Sequence, residues 1–163
     1  MESILVNLID RLTRELPWVR TIDEDYGQLE ALDDENIDMY PLTFPAILID
    51  LPGTDWSDSG DWTQHGTCQV RVRLILDCYD DTHGGSNTVD QIMQREDKRK
   101  ALHTLLQGYR ANDKGALIRT RSKFFTFNHG IKVYEENYTC AISEATRETL
   151  KVERKKLKVV LKS

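Results

Sequence analysis

Asp77, Asp80, Asp81 and His83 lie close enough in the chain to share a divalent cation: three hard oxygen donors and an imidazole at the end of a long alternating run. Such a centre would support metal-assisted hydrolysis of DNA or a phosphoester. A solvated acidic turn accounts for the same four residues. Gly84-Gly85-Ser86 follows them, but no Lys-Ser or Lys-Thr comes after, so the pattern of a phosphate-cradling loop is not met. His65, His103 and His129 fall in a loop, a helix and a turn, without a neighbouring carboxylate or thiol to orient them. Cys68, Cys78 and Cys140 are odd in number and widely spaced, and each sits inside a strand-like run, which predicts three reduced, buried thiols. These residue types and spacings predict no catalytic constellation, no metal and no cofactor. They point to binding and assembly, with metal-dependent hydrolysis through the Asp77 group as the lesser alternative.

The candidate binding residues are of two kinds. Trp56 and Trp62 stand in a polar stretch of Gly, Asp and Ser, where large aromatics either fold back onto the domain or anchor a partner. Arg71 and Arg73 project from the polar side of an alternating run, where they either keep the sheet surface soluble or meet phosphate or a partner's carboxylates. Arg95, Lys98, Arg99 and Lys100 crowd one helical stretch, but Glu96 and Asp97 dilute the charge and no aromatic residue interleaves with it. Charge is strongly segregated along the chain. No Lys or Arg occurs between Thr21 and Gly66, a stretch with a local charge of −12, whereas Arg147 to Ser163 carries +5 and includes Arg154, Lys155 and Lys156. The acidic stretch would repel nucleic acid, and sequence-specific nucleic-acid binding is not expected. The acidic stretch Asp23 to Asp61 and the basic end Arg147 to Lys162 are predicted to meet across subunits, with pairing inside one subunit as the competing explanation.

The elements that position these residues follow from periodicity. A chain of 163 residues suits a single domain, 1–163, with an acidic arm or insertion over about 18–40 and a basic extension over about 146–163. Ile4, Leu5, Leu8, Ile9, Leu12 and Leu16 predict an amphipathic helix over 3–16, with Ser3 as its cap and Pro17 as its stop. Ala46 to Leu51 reads as a strand after Pro45, Pro52 to Gly66 as a long hairpin tip, and Cys68 to Tyr79 as a long strand with Val70, Val72, Leu74 and Leu76 facing the core. Val89, Ile92, Met93, Leu102, Leu105, Leu106 and Tyr109 predict a second helix ending near Gly108 and packed on that core face. Short strands or one irregular hairpin over 116–121, 123–127 and 131–134, a turn at His129-Gly130 and a last core strand over Tyr138 to Ser143 complete the set, and the tail beyond is helix or strand. The fold class is α+β, a mostly antiparallel sheet packed against an amphipathic helix with a further helix at the N-terminus. The apolar runs fall far short of the roughly 20 residues of a membrane-spanning helix, and the charges among the first sixteen residues argue against a signal peptide.

This order of elements, with the strand Phe44-Pro45-Ala46-Ile47-Leu48-Ile49, a polar loop and the strand Gln69-Val70-Arg71-Val72-Arg73-Leu74-Ile75-Leu76-Asp77-Cys78-Tyr79, resembles the tail terminator (tail completion) proteins of long-tailed bacteriophages and prophages. The resemblance covers most of residues 3–145. It implies a non-enzymatic virion protein, assembled in the host cytoplasm as a ring of usually six copies. The ring would cap the tail tube and join it to the head connector, so the implied partners are the chain itself, the tube protein and the connector, with no membrane. A head-to-tail joining protein or an adaptor domain is the neighbouring alternative. The acidic segment and the basic end are longer than the family's pattern.

Overall fold

The computed structural model describes residues 1–33, 42–60, 62–78 and 87–145. Helix α1 (Glu2–Glu15) leads to strand β1 (Thr21–Glu24) and a short 3-10 turn (Glu30–Asp33). Strands β2 (Ala46–Asp58) and β3 (Thr63–Leu76) form a long hairpin, helix α2 (Thr88–Leu106) follows, and β4 (Ile118–Thr126) and β5 (Lys132–Ala145) form a second hairpin around a 3-10 turn at Asn128–Gly130. The five strands lie in the order β1-β2-β3-β5-β4, with β1 parallel to β2 and all other pairs antiparallel. The protein has the α+β architecture that its periodicity predicts.

Both helices cover one face of the sheet. Helix α1 buries Ile4, Leu5, Leu8 and Leu12 against Ile47 and Ile49 of β2 and the even-numbered residues of β3, because a spacing of three and four places them on one stripe. Ser3 is inside the helix rather than its cap: Met1 holds the N-cap position without a side-chain bond. At the other end the Leu16 N–H returns to the Leu12 carbonyl, and Pro17 cannot continue the helix.

Helix α2 departs from expectation. Only Leu102 and Leu106 are buried, while Val89, Ile92 and Met93 are exposed, so just the last turns pack on the core face. The charged run Arg95 to Lys100 interrupts the apolar stripe, and Arg99 replaces apolar packing at mid-helix with an ion pair to the sheet. The helix ends where Gly108 takes φ 79, a left-handed conformation that suits glycine.

The opposite face of the sheet is apolar at one end only. Leu29, Leu42, Ala46, Leu48, Ile75, Ile131 and Val133 form a second core there, with Phe44, Phe125 and Phe127 packed against it. This corrects one reading: the segment from Trp18 onward is not simply a long loop or arm, since β1 pairs with β2 and Leu29 is fully buried. The largely polar face of β3 buries Ile75 fully there. A four-residue strand is too short to show a period in sequence.

The hairpins are also longer than predicted. The segment Pro52–Gly66 is strand almost to its tip, with only residues 59–62 between Asp58 and Thr63. Residues 132–134 and 138–143 belong to one continuous β5, Lys132–Ala145, although Glu135-Glu136-Asn137 looks like a break.

Candidate functional site

Arg71 and Arg73 sit side by side on the uncovered face of β3, and the carboxylates they meet are the chain's own. Arg73 is buried: Nη1 donates to Glu30 Oε1 at 2.5 Å, and Nε and Nη2 both reach Asp25 Oδ2, Nε at 2.7 Å. The Arg73 bond holds the Glu30 carboxyl below its ordinary value. Arg71 pairs with Asp50 at 2.7 Å and lies 3.7 Å from Asp25, with a third of its side chain exposed. The reading of both arginines as outward-facing contacts is therefore corrected for Arg73. It clamps part of the acidic segment onto the sheet through Asp25 and Glu30, and with Arg71 on Asp50 all three carboxylates are paired inside the subunit. Arg71 remains at the rim of a polar groove of about 440 Å³ shared with Asp55, Gln69, Arg121, Asn137 and Thr139.

Trp56 and Trp62 occupy the far end of the β2–β3 hairpin. Trp62 is 62% exposed and Trp56 36%. Trp56 lies opposite Gly66 in the strand register, and a Cβ at Gly66 would come within 2.9 Å of the indole and 2.7 Å of the Thr54 methyl. Glycine at 66 thus lets one indole lie across the neighbouring strand, its body half covered and its rim in solvent. The chain reverses through Gly60 at φ 75 and Trp62 at φ 62, with Ser59 N–H donating to Thr63 O at 3.0 Å. Of the two alternatives, folding back holds in part for Trp56, which lies on its own hairpin, and both rings are exposed near its tip.

A polar cluster that sequence reasoning missed lies under α2. Glu136, 1% exposed, accepts from Arg99 and Arg119 at 3.3 Å each and from Ser122 Oγ at 2.5 Å. Next to it His103 Nδ1 and the Tyr138 hydroxyl are 3.0 Å apart. Burial, then the Glu136 charge, push the Tyr138 hydroxyl up, while burial and the nearby Arg119 push the His103 ring down. Arg99 also binds Glu96 and holds that carboxyl at about 2. Two arginines and a hydroxyl satisfy the buried carboxylate, so the cluster fastens α2 and β4 to β5. The sequence signal is an acidic residue on the core-facing parity of a strand.

Cys68 and Cys140, far apart in sequence, are register partners on β3 and β5, both buried as free thiols. Contact with Cys68, together with burial, pushes the Cys140 thiol up. Cys78 is only partly buried, contrary to expectation, with Arg95 Nη1 3.8 Å from its sulfur. Asp77 is exposed, while Asp80, Asp81, His83 and the glycine pair fall outside the described residues, as do Arg154, Lys155 and Lys156. Among the described residues no group of three or more His, Cys, Asp or Glu side chains is arranged to hold a metal ion.

No protein-family model and no curated protein sequence matches the chain. Among solved structures, it is similar to a chain of the virion of a native gene transfer agent (GTA) particle, with a TM-score of 0.51 at 10% identity, covering 86% of this chain and 94% of that one. The α+β fold of this protein is thus also the fold of a virion subunit, shared over nearly the whole length of both chains.

Proposed function

We propose that the chain is a non-enzymatic structural subunit of a phage-type particle, a tail terminator whose copies close into a ring that caps the tail tube and joins it to the head connector. The likeness to the gene transfer agent virion chain, spanning 86% of this protein, carries the reading, and the order of helices and strands supports it. The charged side chains fit a scaffold: Arg73, Arg99, Arg119 and Glu136 hold strands and helix together. A ring requires two different surfaces on each subunit, and segregated charge provides a pair of opposite sign.

Light scattering and negative-stain microscopy of the purified protein test this. The expected particle is a ring near six times the 18.9 kDa subunit mass that binds the ends of tail tubes. Binding to the head connector alone would make it a head-side joining protein instead. A protein that stays monomeric at high concentration and ignores both partners would overturn the reading.

A further inference from the structure

Beyond Ile49 no described strand lies on the outer side of β2, yet β2 runs on to Asp58; β5 passes its last β4 partner at Thr139 and runs on to Ala145. The outcome is a three-stranded finger, β2-β3-β5, that outruns both edge strands. The Ser59–Thr63 bond fixes which residues turn toward β3, so by alternation Thr54, Trp56 and Asp58 turn their backbone N–H and C=O groups outward from β2.

Unpaired edges are ordinarily blunted. Strand β4 carries Arg121, Lys123 and a bulge, and on β1 the Glu24 N–H is taken by the Asp23 carboxylate. The outer edge of the finger is different: it is acidic and aromatic, with Asp55, Asp58, Trp56 and Trp62 all exposed. Like charge keeps two such edges apart but invites a basic strand. The chain supplies a basic segment, because beyond Ala145 the sequence combines seven Lys and Arg with Leu150, Val152, Leu157, Val159, Val160 and Leu161. That segment leaves the finger at Ala145, opposite Thr63, on the far side of β3 from β2. To reach the acidic edge of its own subunit it must wrap around the tip, whereas the edge of a neighbour needs no such turn.

Building on the ring reading, we propose that the finger's β2 edge, Thr54 to Asp58, is the docking surface for residues 146–163 of a second copy, added as a strand with its basic side chains on Asp55 and Asp58 and its apolar ones on the tryptophans. Two full-length charge-reversal variants test it: Asp55→Lys with Asp58→Lys, and Arg154→Glu with Lys155→Glu and Lys156→Glu. All five changes leave the described core untouched, and circular dichroism checks that each variant is folded. Each alone should assemble about tenfold more weakly than the parent by light scattering, through loss of several exposed ion pairs. An equimolar mixture should recover parent-like assembly, because every tail then meets an edge of opposite sign. If both variants assemble like the parent, the docking surface is wrong while the ring stands. If each is weakened and the mixture recovers nothing, the tail folds onto its own subunit and the intersubunit contact is overturned. A parent protein that never assembles removes the ring reading itself.

Discussion

At the scale of single residues, the informative positions are those where burial and charge conflict. Asp25 has a side chain only 2% exposed, and it depends on Arg73, with Arg71 as a more distant second cation. Arg73→Ala should therefore cost about 3–5 kcal/mol in urea unfolding, toward the lower figure because Arg71 remains, and Arg71→Ala should cost far less. Gly66 is a steric case: Gly66→Ala places a methyl against Thr54, Trp56 and Ile142, for an expected loss of about 1–3 kcal/mol. Trp56 should swing outward to make room, which a red shift in tryptophan emission would report. His103 titrates unlike a surface histidine, since burial lowers its folded-state value below the ordinary 6.5. The unfolded chain then binds the proton first, so this histidine's contribution is whole above pH 6.5 and falls as the pH drops below it. Melting temperatures between pH 7.5 and 5.5 should decline more steeply for the parent than for His103→Gln.

At the scale of elements, α2 is held at its C-terminal end and its middle, not along its length. Leu106→Ala should cost about 2–5 kcal/mol, and Ile92→Ala, on the exposed half, less than about 0.5 kcal/mol in the same measurement. Equal effects would mean that the first half of the helix packs on something. The same contrast explains what periodicity could and could not convey. Strand β3 and helix α1 were legible because each repeats one period over many residues with a single buried stripe. The continuity of β5 was hidden by Glu136, whose core position makes sense only once Arg99 and Arg119 arrive from other elements. Arg73 was misread for the same reason: its partners Asp25 and Glu30 precede it by more than forty residues, and no local pattern joins them. The two tryptophans were legible as unusual aromatics in polar surroundings, but not that strand backbone would carry them outward on a finger.

At the scale of the whole molecule, the acidic surplus noticed in sequence divides in two. Asp25, Glu30 and Asp50 are consumed inside the subunit, and Asp55 and Asp58 are left on the finger. Trp56 and Trp62 make that remainder observable: assembly should shift tryptophan emission to the blue as solvent leaves the tip, and emission equal in monomer and ring would place the contact elsewhere. The strand order β1-β2-β3-β5-β4 has a further consequence in time. The last described strand in the sequence is an interior one, so the full length of β3, through Thr63 and its partner Ala145, stays unpaired on one side until residue 145 has left the ribosome. At roughly 5–20 residues per second, the stretch from Leu76 to Ala145 takes several seconds to make. Throughout that interval the side of β3 that β5 will cover lies open, which makes the nascent chain a natural client for a chaperone, and stalled chains that stop before β5 should be found with chaperones rather than folded.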